Sequence, residues 1–491
     1  MNTGARAREL RVMIVTDQYA PMVGGVPTVT SELARGLSDR GHAVAVVAPG
    51  TTWRGRPAAG RGAPAQAGPA QADGEGGRVT VDFRLSVPWP WYEGQRLGVM
   101  PPPRARELMA AFAPDVVHVH SPLTLGAAAR SAARRRPAPV VYTNHYLPVN
   151  VWPASASGSP SARGTGSRVL DAAFYAYVTG FGNRCDHVTA PTMTALRLLR
   201  SHGLRVPSQA VSNGVDLDRF SPGPRDERLR ARYALPPDRP LILSVGRLSP
   251  EKRADVLIAA LARLGGAGAG NGAAGSASPE PSASPEPSAS PETSASGEAG
   301  APLLVLAGAG PDAGRLRSLA RRYGVAERVR FLGFVPDDDL PGLYRLADVF
   351  AIASQAELQS LVTMAAMASG LPVAAVAAGA LAELVHAGEN GFLVRPGHAG
   401  EFADCLRLLC RDAGLRARMS GASARIVAAH DRERVLDQWE SIYRDLAFPG
   451  VSETRETPGA GAAREYGPPR QGRRTRDSSP AQQGKVSDAQ P

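Results

Sequence analysis

Glu357 stands alone in "AELQSLVTMAAMASGLPV", Ala356 to Val373, with no other charge in the stretch. A carboxylate between an apolar run and a helix can cap free amides or accept hydroxyl donors from a sugar. Serine or aspartate caps more often, so a glutamate at this place points toward a ligand. "LSVGRLSPEKR" puts Arg247 at the end of an apolar run and Lys252 at the start of a helix. Two such cations can hold a diphosphate by charge-assisted hydrogen bonds and stabilise its charge as it departs, without metal; two solvated surface charges fit the same spacing equally well. "PDVVHVHSP" places His118 and His120 on one face of a strand, and "VVYTNHYLP" ends the next with His145. No third metal ligand is near in sequence, so His118 reads as packed or solvent-facing. His120 and His145 stand where a site is expected. Gly24 and Gly25, in "YAPMVGGVPTVTSELA", let the backbone approach a ligand beside a helix start that offers amides to phosphate, or form a tight turn.

The elements that must position these residues alternate. "RVMIVTD" precedes the helical "TVTSELARGLSDRG", followed by "HAVAVVAP", "DVVHVH", "LGAAARSAARRR" and "PVVYTNH". After residue 213 the cycle restarts with "LILSVGR", "ADVLIAALARL", "LLVLAGAG", "VRFLGF" and "DVFAIAS". Apolar runs alternating with amphipathic helices predict parallel sheets covered on both faces, here twice: an α/β chain of two Rossmann-like domains, residues 11–212 and 213–425, closed by a helix within 426–448. In such sheets ligands sit at the carboxyl ends of strands, where each residue named above falls. "LAGAGPD" reads as a turn with room for a ligand or a neighbouring domain. Residues 55–78, 154–167, 265–300 and those beyond 449, like the tail 1–10, are outside this pattern. The four longer stretches are rich in Ala, Gly, Ser and Pro, and are expected to be disordered because they bury too little to offset ordering entropy.

Composition narrows the function classes. An apolar content of 43% over 491 residues suits a globular protein with two cores. No run approaches the roughly 18 apolar residues of a membrane span, and the start resembles no signal peptide. Cys185, Cys405 and Cys410 lack metal-ligand spacing and are too few for a disulfide framework, so they read as packing residues of a cytoplasmic protein. The net charge of +11 favours anionic partners: phosphorylated substrates, an anionic membrane surface or nucleic acid. Aromatic content of 5%, with no aromatics interleaved in the basic runs, argues against nucleic acid. The glycine pattern is not G-x-G-x-x-G and strand two carries no acidic ribose hook, which disfavours a dinucleotide dehydrogenase.

Taken in order, "GGVPTV", "PDVVHVHSP", "VVYTNHYLP", "VSNGVDLDRFSP", "SVGRLSPEKR", "LAGAGPD", "RVRFLGFVPDDDLPGLYRLADVF", "AELQSLVTMAAMASGLPV" and "ENGFLV" resemble the family 4 retaining glycosyltransferases of GT-B architecture. The resemblance spans residues 11–447, and "TNHYLPVN" with "AELQSLVT" is most similar to bacterial members that glycosylate lipids, diacylglycerol or phosphatidylinositol. It implies a second domain that binds a UDP- or GDP-sugar, a first domain that binds a lipid or polyol acceptor, and no cofactor or metal. Arg247 and Lys252 would hold the diphosphate and backbone around Val335 would read the base. Glu357 would bind hydroxyls of the donor sugar, and amides at Ser360 and Leu361 would touch phosphate. Gly25 would let the first loop approach the diphosphate, and His145 would lie near the anomeric carbon, with His120 on the acceptor side. The implied location is the cytoplasm, at the inner face of the membrane through basic and apolar surface of the first domain.

The chain departs from the family at one instructive place. Family members carry two glutamates separated by seven residues, the second holding the ribose hydroxyls, and here the second position is Ala365. Ala377 and Ala382 likewise replace a common Asp and Pro in "AAGALAEL". Losing a charged hydrogen-bonding partner costs roughly 1.5–3 kcal/mol, about ten- to a hundred-fold in affinity. A degenerate sugar-nucleotide-binding protein is therefore the rival reading, and transfer to a soluble acceptor such as an inositol phosphate is a third.

Overall fold

The structure, a computed structural model of the chain, describes residues 8–20, 22–49, 52–53, 56–57, 79–84, 86–88, 96–148, 165–264 and 300–450. The expectations of disorder at 55–78, 154–167, 265–300 and beyond 449 fall outside these residues except at their margins, where Arg56–Pro57 pairs with Thr52–Trp53 and Thr165 opens the helix Thr165–Gly182. The tail 1–10 is likewise described only from residue 8.

Each apolar run becomes a parallel strand. In the first sheet these are β1 (Arg11–Val15), β2 (Ala43–Pro49), β3 (Val79–Arg84), β4 (Val116–Val119), β5 (Val140–Thr143), β6 (His187–Ala190) and β7 (Ser208–Ala210), lying in the order β7-β6-β5-β4-β1-β2-β3. The second sheet holds β8 (Leu241–Val245), β9 (Leu303–Ala307), β10 (Val329–Gly333), β11 (Val349–Ile352), β12 (Val373–Val376) and β13 (Gly391–Val394), in the order β10-β9-β8-β11-β12-β13. Every pairing within the two sheets is parallel. Both sheets grow outward in one direction for three strands and then restart beside the first, so each has one switch point: between β1 and β4, and between β8 and β11. This is the expected two-Rossmann GT-B architecture.

Burial follows the strand period. Along β1, Met13 and Val15 enter one core and Val12 and Ile14 the other, because alternate side chains point to opposite faces. The helix α1 (Gly25–Asp39) lays Val29, Leu33, Ala34 and Leu37 on the sheet. The second core of the first sheet is completed from the far end of the chain: Leu436, Trp439 and Tyr443 of the helix Arg432–Ala447 pack there. Arg40 draws that helix in, with Nη1 2.8 Å from Asp437 and 2.9 Å from Glu440, and Nη2 2.7 Å from Glu433. The chain thus crosses between sheets twice, and the crossings are bonded side by side. Val215 N donates to His430 O at 2.9 Å and Arg432 N to Val215 O at 3.0 Å.

Candidate active site

The donor-side residues meet at the switch point of the second sheet. Lys252 follows β8 and Glu357 follows β11; these strands are neighbours, and the loops leaving a switch point diverge to form a crevice. There Lys252 Nζ donates to Glu357 Oε1 at 2.6 Å. The Glu357 side chain is 10% exposed and that of Lys252 34%. Burial presses the ammonium toward its neutral form, but the charge of Glu357 and its hydrogen bond outweigh this, holding Lys252 above the ordinary lysine range. Arg247 is exposed at the mouth of the same loop.

Two glycine loops buttress this pair. A Cβ on Gly308 would stand 1.8 Å from Gly246 O, and one on Gly310 2.2 Å from Leu248 O. The glycines of "LAGAGPD" therefore admit the backbone of the Arg247 loop, from the same sheet, where a side chain would collide with it. Gly379, at φ 57°, does the same for Glu357: a Cβ there would lie 2.5 Å from Glu357 O, and Ala380 N donates to that carbonyl at 2.9 Å. This explains why "AAGALAEL" turns where it does.

Glu357 is not the cap of the helix that follows. Ser360 caps Leu361–Ala368, its hydroxyl accepting from Thr363 N at 3.3 Å and Thr363 Oγ1 at 2.8 Å. The carboxylate is thus left for other work. Ala365 lies within this helix, 5% exposed, in the core with Met364, Ala366 and Met367. Val335 is buried just past β10, two strands from β8, which at about 4.8 Å per strand is roughly 10 Å away, the scale of a nucleoside. The Cβ position of Gly25 lies 3.7 Å from Leu361 Cδ1, so the loop after β1 meets the start of the helix Leu361–Ala368.

On the acceptor side the three histidines divide. His118 and His120 share a strand face, their rings 3.9 Å apart, but have different partners. His118 bonds Tyr443 OH through Nδ1 and Thr143 Oγ1 through Nε2, each at 2.7 Å, and is a packed residue. His120 Nδ1 is 2.8 Å from His145 Nε2, with the rings stacked. Burial lowers all three, His145 to about 4, so the pair is neutral at neutral pH and shares one proton in its hydrogen bond. Among the described residues, the buried His120 Nε2 has no hydrogen-bond partner. If His145 donated, His120 would carry its proton on that orphaned nitrogen. The tautomer with His120 Nδ1–H donating avoids this and leaves a proton on His145 Nδ1.

Asp17 is the residue the sequence reading passed over. It follows β1 and spans the first switch point: Oδ2 accepts from Ser121 Oγ, beyond β4, at 2.7 Å, and Oδ1 from Gly98 N at 2.9 Å. Burial raises its carboxyl to about 6 against the lowering effect of both bonds. Tyr146 OH lies 3.4 Å from Ser121 Oγ. The available signal was a carboxylate ending the first apolar run, "RVMIVTD". Thr192, Gln359 and Glu383 were missed as well, since each acts through a partner remote in sequence.

The remaining candidates have quieter roles. Cys185, Cys405 and Cys410 are free thiols whose burial pushes them up to about 12, 11 and 12. Such thiols are poor nucleophiles. Among the described residues no helix is long and apolar enough to cross a membrane, and no three His, Cys, Asp or Glu side chains are grouped to hold a metal ion.

Residues 23–219 match the family described as Glycosyltransferase Family 4, and residues 296–425 that described as Glycosyl transferases group 1. A GDP-mannose-dependent alpha-mannosyltransferase of Mycolicibacterium smegmatis is 34% identical over 256 residues, 52% of this chain and 60% of that protein. A GDP-mannose-dependent alpha-(1-6)-phosphatidylinositol monomannoside mannosyltransferase of Mycobacterium tuberculosis is 29% identical over 345 residues, 70% of this chain and 72% of the relative. Among solved structures, sucrose-phosphate synthase of Thermosynechococcus elongatus superposes with a TM-score of 0.65 at 20% identity, covering 89% of this chain and 99% of that one.

Proposed function

The chain carries a family 4 glycosyltransferase domain joined to a group 1 glycosyl transferase domain in a GT-B fold, and on that premise we propose that it moves a hexose from a nucleotide-sugar to a lipid hydroxyl. The observation that carries the proposal is the Lys252–Glu357 pair at the switch point of the second sheet, a cation and a carboxylate where a diphosphate and a sugar would lie together. GDP-mannose is the favoured donor and a phosphatidylinositol-type lipid the favoured acceptor, on the named activities of the mycobacterial relatives.

In this reading Arg247 and Lys252 bind the diphosphate, while the start of the helix Leu361–Ala368 and the loop at Gly25 close on it. Glu357 accepts hydroxyls of the sugar. Backbone near Val335 holds the base. The bond from the anomeric carbon to the diphosphate breaks as the acceptor oxygen attacks the same face, and the acceptor proton passes to the leaving phosphate oxygen. Configuration is retained and no metal takes part. Catalysis comes from placement and from the two cations that stabilise the departing charge. His145 Nδ1–H, held by His120, donates toward the reacting sugar. Membrane contact is peripheral, through the basic surface of the first domain.

Incubating the protein with GDP-mannose or UDP-glucose, phosphatidylinositol vesicles and a chelator, then reading the product's anomeric configuration by NMR, tests this. An α-linked glycolipid formed in the chelator is expected. A β-linked product, or one formed only when divalent metal is restored, would overturn the mechanism. A glycosylated product found only in the aqueous phase would move the acceptor to a soluble polyol.

A further inference from the structure

Three consecutive residues of the donor loop are tied to three different elements. Glu357 O accepts from Ala380 N at 2.9 Å, within the second domain. Leu358 O accepts from Thr192 Oγ1 of the first domain at 2.9 Å, and the Leu358 side chain packs against the first domain's core. Gln359 Oε1 accepts from Asn213 N, in the segment that crosses between sheets, at 2.7 Å. The residue expected to hold the donor sugar therefore sits on a loop whose position depends on where the first domain lies.

The tie is strongest at Glu383. Its carboxylate accepts from Met193 N at 3.1 Å and Thr194 N at 2.5 Å, the first two amides of the helix Met193–Ser201. Thr192 Oγ1 takes the third amide, from Ala195, at 3.2 Å. This helix has no acidic residue in its own first turn, so the other domain supplies the negative charge that a helix start favours. Glu383 in turn ends the short 3₁₀ turn Leu381–Glu383, which begins one residue after Ala380, the donor to Glu357 O. One helix start in the first domain thereby touches both loops that frame Glu357, through Thr192 to Leu358 and through Glu383 to the Gly379–Ala380 turn.

We propose that Glu383 and Thr192 form a strut that registers the acceptor domain against Glu357, making Glu383 a positioning residue for the transfer proposed above, on which its catalytic consequence rests. Most of what holds the donor's diphosphate and base, Arg247, Lys252 and the Val335 backbone, lies outside the strut, which reaches only the loop leading to the helix start at Leu361 and, beside it, the loop at Gly25. Releasing the strut should therefore leave nucleotide binding nearly intact while misplacing the sugar relative to the acceptor. Small misplacements of reacting groups are costly, on the order of a hundred-fold for about 1 Å.

The test combines hydrogen–deuterium exchange with kinetics on Glu383→Ala, Glu383→Gln and Thr192→Val. Exchange at Met193 and Thr194 should quicken at least about tenfold in Glu383→Ala, and less in Glu383→Gln, whose single amide oxygen can still accept from one of the two amides. For Glu383→Ala, kcat should fall about ten- to a hundred-fold with donor KM within about threefold, and Gln should restore part of the loss. Unchanged exchange in Glu383→Ala overturns the strut. Quickened exchange with wild-type kcat overturns its positioning role. So does equal failure of the Ala and Gln variants with a matching loss of melting temperature, which marks mere support of the fold. If wild-type protein binds nucleotide but transfers nothing, quickened exchange at Met193 and Thr194 in Glu383→Ala still supports the strut, and the failure belongs to the transfer reading.

Discussion

Lys252 and Glu357, 105 residues apart, form a 2.6 Å ion pair because they leave adjacent strands at the switch point of the second sheet. The pair orients the carboxylate while presenting the ammonium's remaining protons to the crevice. Lys252→Met should remove a diphosphate ligand and leave Glu357 unpaired in a mostly buried place. The expected loss is at least about a hundred-fold in kcat/KM, with about 1 kcal/mol of stability, the latter modest because Lys252 is a third exposed. Its folded pKa is raised, so this stabilisation is full below the ordinary lysine value of 10.5 and fades only above it. Urea denaturation should show a constant wild-type advantage from about pH 6 to 9.

Asp17 predicts a pH dependence of the same sign in the acid range. Its carboxyl titrates near 6 when folded and near 3.8 when unfolded, so the folded state binds more protons between those values and stability falls as pH rises through them. The separation corresponds to roughly 3 kcal/mol. Asp17→Asn should therefore gain on wild type as pH rises from about 4 to 6 and keep the gain above it. Parallel stability curves for the two proteins would contradict the assignment.

His145 should not titrate near neutrality. Burial holds its folded pKa near 4, below the ordinary 6.5, so the unfolded chain binds more protons between these values and this residue costs stability as pH falls through them. The pH profile of kcat/KM should show no His145 limb near 6.5. A limb there that vanishes in His145→Gln would show a protonatable, solvated imidazole instead.

On the proposed reading, Ala365→Glu would supply a ribose ligand at a position that is 5% exposed. Nucleotide affinity, by calorimetry, should rise about ten- to a hundred-fold. The melting temperature without nucleotide should drop, since a carboxylate in this core has no partner until ribose hydroxyls arrive. Unchanged affinity would mean that the ribose is held elsewhere.

Much of the fold was legible because most of its strands are short and mainly apolar, and because residues at their carboxyl ends could be singled out one by one. Which of them meet was not legible. Strand order is a long-range property: Asp17 and Ser121 lie 104 residues apart, and Glu383 and Thr194 189 apart, yet each pair is in contact. His118 and His120 show the limit locally. Two residues apart on one face, they differ because β4 ends at Val119. His118 remains under the returning helix Arg432–Ala447, and His120 lies past the strand end and meets His145.

Incorporation of radiolabel from GDP-mannose into chloroform-extractable lipid, with phosphatidylinositol vesicles, measured side by side for wild type and Glu357→Gln, tests the central claim most directly. The account predicts labelled lipid from wild type and at least about a hundred-fold less from Glu357→Gln, with both proteins binding GDP alike. Equal labelling by the two, or none from wild type despite measurable GDP-mannose binding, would contradict it.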